Sequence, residues 1–153
     1  RHTQQFFIRL CDESDSRILT HVSLIFRKFN VDSELVTKFS ENGVFKAIFS
    51  AALDFDDDFA LHAAMIVVIK AGNVSFAPEF LMLCEPITNI IVSKRKTMGA
   101  AISAARVLSK YPLCAKKFYD LELDRVFKKL KKNPDYRKYA EEFLENLSVV
   151  QFY

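Results

Sequence analysis

The residue types that most often perform catalysis or bind metals occur in this sequence, but not at the spacings that such chemistry requires. His2, His21 and His62 have no metal-ligand spacing with one another or with any cysteine. The acidic turn from Asp56 to Asp58 lacks the glycine and the distal glutamate of a calcium loop. No phosphate-binding glycine loop, dinucleotide fingerprint or nucleophile elbow occurs. We therefore predict a protein that is not an enzyme, with no cofactor and no bound metal; a catalytic helical domain is the third alternative.

The cysteines indicate a reducing environment rather than a disulfide framework. Cys11, Cys84 and Cys114 are odd in number and form no Cys-x-x-Cys motif. Disulfides are rare in the cytosol and nucleus, where thiols are kept reduced. We expect each cysteine to be a small apolar core residue, and we expect a cytoplasmic or nuclear protein.

The charged residues of this sequence could bind a partner of opposite charge. The net charge is only +3, and a charge of this size does not by itself indicate nucleic-acid binding. The distribution is more informative. An acidic cluster between Asp54 and Asp58 lies in the first half, whereas basic residues crowd the last third, from Lys116 to Lys138.

Helices are the elements that must position these side chains. The sequence has only 3 glycines and 4 prolines, and apolar residues recur at helical spacing, as at Ile18, Val22, Ile25 and Phe29. The longest apolar runs fall far short of the roughly 20 residues of a membrane span. The predicted helices cover residues 5–10, 17–29, 33–40, 44–53, 59–71, 78–84, 86–93 and 98–110, and the pattern returns after Pro112.

The sequence aligns with itself at two offsets. At an offset of 43 residues, Arg27 falls on Lys70; at an offset of 36, Ala104 falls on Ala140. A fixed period of about 40 residues is typical of a helical solenoid, in which each unit buries its apolar face against its neighbours. The alignment also predicts four equivalent buried residues, namely Leu24, Val67, Val107 and Phe143.

Two motifs give the repeat a resemblance to the armadillo family. Ala140-Glu-Glu-Phe-Leu-Glu-Asn-Leu-Ser is similar to the family's third-helix pattern, and Asn42-Gly43-Val44 resembles its Gly-Gly-Ile turn. The resemblance implies an all-α, right-handed α-solenoid of about three and a half repeats, with HEAT repeats as the near competitor and a non-repeating helical bundle as a further alternative. We expect one domain over 1–153, an excerpt of a larger protein, with a partial repeat over 1–30 and repeats over about 31–72, 73–111 and 112–153.

In the armadillo family the third helices line a groove, and an asparagine near the end of each holds the backbone of an extended peptide. Only Asn146 keeps this residue type; basic residues replace it elsewhere, in an arrangement that resembles the cationic groove of the catenins. The resemblance implies a scaffold that binds an extended or helical acidic segment of another protein. The candidate groove residues are Arg27, Lys70, Arg106, Lys110 and Asn146. Cations near helix C-termini also cap free carbonyl groups, so this ladder has a structural interpretation as well.

A second set of basic residues is predicted to lie in turns on one edge of the solenoid: Lys94, Arg95, Lys96, Lys128, Lys129, Lys131 and Lys132. Their charge supports the main alternative function, a helical repeat that binds nucleic acid or a phosphoinositide through the basic C-terminal third. Apolar residues at the two ends, from Phe6 to Ile8 and from Val149 to Tyr153, further predict self-association through the end repeats.

Overall fold

The structure, a computed structural model, describes residues 2–11 and 15–150. Within these residues it contains ten α-helices, one 3-10 helix and no strand, which confirms the predicted all-α class. The right-handed solenoid and its number of repeats remain predictions. The helices are α1 (His2–Cys11), α2 (Arg17–Arg27), α3 (Ser33–Glu41), α4 (Val44–Phe55), α5 (Asp58–Gly72), a 3-10 helix (Pro78–Leu83), α6 (Cys84–Val92), α7 (Met98–Leu108), α8 (Pro112–Asp120), α9 (Leu123–Leu130) and α10 (Arg137–Ser148).

Contacts between helices divide the chain into two compact units, Arg1–Glu79 and Phe80–Tyr153. The first unit holds α1 to α5, in which α2 packs on α5 and α4 packs on both α1 and α5. The second holds α6 to α10, in which α7 packs on α6 and α10, and α8 packs on α6 and α9. The predicted single repeat domain and its repeat boundaries stay predictions.

Short acidic side chains begin two helices of the first unit. Asp32 accepts a hydrogen bond from the backbone N–H of Leu35 at 2.8 Å, so it caps α3 in place of the predicted Ser33. Asp57 caps α5 in the same way, through the N–H of Ala60 at 2.8 Å. The acidic turn before α5 is therefore used to start a helix, at the positive end of the helix dipole.

Positive φ angles occur at four helix ends within the described residues. Gly43 has a φ of +76° between α3 and α4, which confirms the predicted sharp turn and uses the freedom of a residue without a Cβ. Asp56, Lys94 and Glu122 adopt φ angles of 51°, 53° and 61°. These residues redirect the chain after α4, after α6 and before α9.

Phenylalanine rings form the core of the first unit. Phe7, Phe26, Phe39 and Phe45 are fully buried, and the ring of Phe39 lies 5.6 Å from Phe7 and 5.8 Å from both Phe26 and Phe45, centroid to centroid. Aromatic pairs in such tilted or edge-to-face arrangements contribute about 0.5–1.5 kcal/mol beyond the burial of their surface. The many phenylalanines of the sequence thus join α1, α2, α3 and α4.

The predicted equivalence of four buried residues is wrong at Leu24. Val67, Val107 and Phe143 have no exposed surface, whereas Leu24 is 47 % exposed. The buried face of α2 contains Leu19, Val22, Ser23 and Phe26 and contacts α1 and α5, and Leu24 lies outside it. By contrast, α5 buries residues around most of its circumference, as its nearly continuous apolar sequence predicts.

Buried alanines and a stacked pair of phenylalanines belong to the core of the second unit, together with larger aliphatic side chains such as Ile102 and Leu108. Ala104 on α7 and Ala140 on α10 are fully buried, and these two helices are neighbours. The rings of Phe127 and Phe143 stack with 3.9 Å between centroids, which joins α9 to α10. Small side chains let helix backbones approach closely, so the buried alanines allow α7 and α10 to pack side by side.

The apolar residues at the two ends of the chain, which were predicted to support self-association, differ from one another in their exposure. Phe7 is fully buried in the first unit, whereas its neighbour Phe6 is 48 % exposed. Val149, just after α10, is 73 % exposed. Residues 151–153 lie outside the described residues. Self-association through the ends stays a prediction, and Phe7 is removed from the surface that would support it.

Candidate functional site

The repeat alignment predicts that α2, α5, α7 and α10 are third helices, and it places the candidate groove residues near their C-terminal ends. In the first unit, Lys70 of α5 donates a hydrogen bond from its ammonium group to the backbone carbonyl oxygen of Arg27, the last residue of α2. The last four carbonyl groups of a helix have no partner inside the helix. Lys70 therefore caps α2, which is the structural role that the sequence left open. The side chain of Arg27 is exposed.

In the second unit, Arg106 of α7 is held by two residues of α10. Its Nη1 donates to Glu142 Oε2 at 2.9 Å, and its guanidinium carbon lies 5.2 Å from the centroid of the Tyr139 ring. The Nε of Arg106 is buried and has no hydrogen-bond partner within the described residues. The charge of Arg106 is thus matched inside the molecule, and little of it is left for a partner.

Asn146, the residue that resembles the peptide-holding asparagine, contacts a residue that the sequence reasoning missed. Its Nδ2 donates to Ser109 Oγ at 2.9 Å, and Ser109 Oγ donates in turn to the carbonyl oxygen of Arg106 at 2.7 Å. Ser109 is fully buried at the C-terminal end of α7. A serine just after a helix is visible in the sequence, but its burial is not. Once Ser109 is known to be buried, a partner for its hydroxyl group is expected, because buried hydroxyl groups almost always have partners.

The two contacts between α7 and α10 also define the direction of these helices. Arg106 pairs with Glu142 and Ser109 pairs with Asn146, so the residue number increases along both helices together. The helices are therefore parallel, as successive third helices of a repeat must be. The structure places Arg27 and Lys70 together in the first unit, and Arg106 and Asn146 together in the second.

Lys110 follows α7 and is exposed. Neither its ammonium group nor the guanidinium group of Arg27 has an ion pair or a hydrogen bond within the residues that the structure describes. Among the candidate groove residues, these two cations are the ones whose charge is available to an external carboxylate.

The basic edge differs in part from the predicted turns. Lys94, Arg95 and Lys96 do lie in the turn between α6 and α7. Lys128 and Lys129, however, belong to the last turn of α9, where cations are stabilised by the negative end of the helix dipole. Only Lys131 and Lys132 follow the helix. The second unit has 14 basic against 8 acidic residues in its sequence, so most of these lysines have no local acidic counterpart.

An open groove of about 550 Å³ lies among α8, α9 and α10. The sequence contains one of its features, the spacing of Leu144 and Leu147 on one face of α10. It does not reveal the groove itself, because the walls come from three helices and form only when these helices pack. The lining residues are Tyr119, Asp124, Lys128, Lys131, Leu144, Leu147, Ser148 and Val150.

Two cysteines of the second unit form a buried pair. Cys84 and Cys114 are fully buried, and a hydrogen bond with Cys114 together with burial raises the pKa of the Cys84 thiol far above its ordinary value. A thiol held in its protonated form is a poor nucleophile and a poor metal ligand. The pair thus lies in the core, as the sequence predicted for these two cysteines, whereas Cys11 is only partly buried.

No group of three or more His, Cys, Asp or Glu side chains that could hold a metal ion occurs in the part of the chain that the structure describes. None of the helices described is long and apolar enough to cross a membrane.

Comparison with known proteins gives no relative from which a role could be transferred. The sequence matches no family model, and no curated protein or solved structure shows significant similarity to it. The resemblance to armadillo repeats therefore depends on the residues quoted above and stays a prediction.

Proposed function

We propose that this chain is a non-catalytic scaffold of armadillo-like repeats that binds an acidic segment of another protein at the C-terminal ends of its third helices. One observation carries the proposal. The hydrogen bonds from Lys70 to Arg27 and from Arg106 to Glu142 join residues that are 43 and 36 apart. These are the two offsets at which the sequence aligns with itself, so residues at equivalent repeat positions lie side by side.

Such stacking gives a repeat protein its binding surface, because equivalent residues of successive helices then form a row. In the first unit the exposed cation Arg27 lies at the end of such a helix, and in the second unit the exposed cation Lys110 does. Asn146 supports the same function, since its second amide N–H and its Oδ1 have no partner within the described residues and can pair with a peptide backbone. A carboxylate group of an acidic segment complements the cation at either helix end.

Selection of peptides from a displayed random library against the wild-type protein tests this proposal. We expect the selected peptides to be rich in Asp and Glu, and we expect Lys110→Glu to weaken their binding about three- to tenfold, as for loss of one surface charge contact. Lys46→Glu is the matched control, because Lys46 is exposed on α4, outside the row of helix ends. Neutral or basic selected peptides, or equal losses in the two variants, would contradict the proposal.

A further inference from the structure

The groove among α8, α9 and α10 has an apolar floor. Leu144 and Leu147 stand three residues apart on the same face of α10, and Val150 continues this surface beyond the helix. Tyr119, on α8, is 46 % exposed and contributes an aromatic wall. The volume of about 550 Å³ lies within the range of about 300–1,000 Å³ that is typical of ligand sites.

A cationic wall faces this floor. Lys128 lies in the last turn of α9, and Lys131 directly follows this helix. The two residues are three positions apart, so both side chains reach the same groove. The Nζ of Lys128 is 3.9 Å from Asp124 Oδ2, too far for a hydrogen bond. The ammonium group of Lys131 has no ion pair in the described part of the chain.

We propose that this groove is a second docking site, and that it binds an amphipathic acidic helix of a partner protein. Apolar side chains of the partner helix cover Leu144 and Tyr119, and a carboxylate on the flank of that helix pairs with Lys131. Docking of an apolar helix face into a groove is a recurrent mode of peptide recognition, and the charged rim determines its orientation. None of the candidate residues at the helix ends lines this groove.

The charge of the lining favours a protein helix over a polyphosphate ligand. Two lysines and one aspartate leave a single excess positive charge in the groove, and the carboxylate of Asp124 would repel a phosphoinositide headgroup or a phosphate backbone. Single-stranded nucleic acid also prefers a row of aromatic residues for stacking, and among the described residues that line this groove Tyr119 is the aromatic one. A partner helix that presents one carboxylate beside apolar side chains matches the groove lining in both charge and polarity.

Fluorescence anisotropy with two labelled peptides tests the proposal. The first is an amphipathic helix of about four turns with Leu and Phe along one face and Glu on the flanks; the second replaces every Glu by Gln. We expect the acidic peptide to bind more tightly than the neutral one. Lys131→Glu and Leu144→Gln should each weaken its binding about three- to tenfold. Lys132→Glu, one residue beyond the groove lining and equally exposed, should leave binding unchanged.

Several results would overturn this assignment. Absence of binding to the acidic peptide, or equal losses in Lys131→Glu and Lys132→Glu, would show that the groove is not a specific site. Tighter binding of phosphatidylserine vesicles or of a single-stranded oligonucleotide, with the same dependence on Lys131, would assign the groove to a lipid or a nucleic acid instead. Lys110→Glu separates this site from the helix-end site, because it should not affect binding in the groove. Each proposal can thus fail while the other stands.

Discussion

The ammonium group of Lys70 is hydrogen-bonded to the backbone carbonyl oxygen of Arg27, and the two residues are aligned with each other at the 43-residue offset of the predicted repeat. The contact links the C-terminal ends of α5 and α2. Lys70, which the sequence makes a candidate groove residue, therefore caps the C-terminal end of the neighbouring helix α2. A basic residue at an aligned position of the predicted repeat is therefore not always available to a ligand, because its charged group can be bound within the protein.

Removal of this cap should lower stability. We expect Lys70→Met to reduce the free energy of unfolding by about 1 kcal/mol, because a carbonyl group at the end of α2 loses its partner while the apolar part of the side chain is retained. Lys46→Met, at an exposed residue of α4, should change it by less than about 0.5 kcal/mol. Urea denaturation measures both values. Equal effects would show that the Lys70 contact contributes nothing to stability.

The hydrogen bonds of Ser109 should contribute to the packing of α7 on α10. We expect Ser109→Ala to cost about 1–3 kcal/mol, since Asn146 then loses the acceptor for its side-chain amide in a half-buried position. Ser93→Ala is the control, because Ser93 is exposed at the end of α6. Thermal unfolding should show a lower Tm for the first variant and no change for the second; an unchanged Tm for both would contradict the role of Ser109.

Two glycine substitutions should have effects of opposite sign. Gly99 lies in the first turn of α7 with no atom within 4 Å of the place where a Cβ would be, so Gly99→Ala should stabilise the protein by about 0.4–1 kcal/mol. Gly43 also has open space around it, but its φ is +76°. Gly43→Ala should therefore destabilise the protein by about 1–2 kcal/mol. The same sign in both variants would mean that backbone conformation is not the deciding factor.

The raised pKa of Cys84 gives a pH dependence with a defined sign. The folded protein keeps the thiol protonated above its ordinary pKa of 9.0, whereas the unfolded chain loses this proton near that value. The stability that the Cys84 thiol contributes is therefore fully present below about pH 9 and decreases as the pH rises further. We expect the stability of wild type to fall more steeply above pH 9 than that of Cys84→Ala. Parallel curves in pH-dependent denaturation would contradict the pKa shift.

The same environment should protect the thiols from modification. We expect Cys84 and Cys114 to react with a thiol reagent such as iodoacetamide only at the rate at which the native structure opens, because both are buried and Cys84 is held protonated. Mass spectrometry of the labelled protein, with and without urea, measures this protection. Rapid labelling of either residue in the native state would show that the pair is accessible.

Several helices could be predicted from sequence because the signals that form them are local. The apolar run predicted a helix over 59–71, and α5 covers Asp58–Gly72. The glycine turn before α4 was likewise predicted, since no other residue type adopts a positive φ so readily. Helical periodicity and turn residues depend on neighbours within a few positions, so a single sequence contains them.

Side-chain partners could be predicted far less well, because they depend on which helix faces which. The sequence alone determined an all-α chain, whereas the repeat of about 40 residues and the rows that it assigns to the basic residues stay predictions. Only the tertiary structure decided that Leu24 is exposed while its aligned residue Val67 is buried. It also decided that Arg106 pairs with Glu142, while the ammonium group of Lys110 has no partner among the described residues. The physical reason is that burial and ion pairing depend on packing between helices that are distant in sequence. A repeat pattern aligns two residues with each other, but it does not give them the same neighbours in the folded protein.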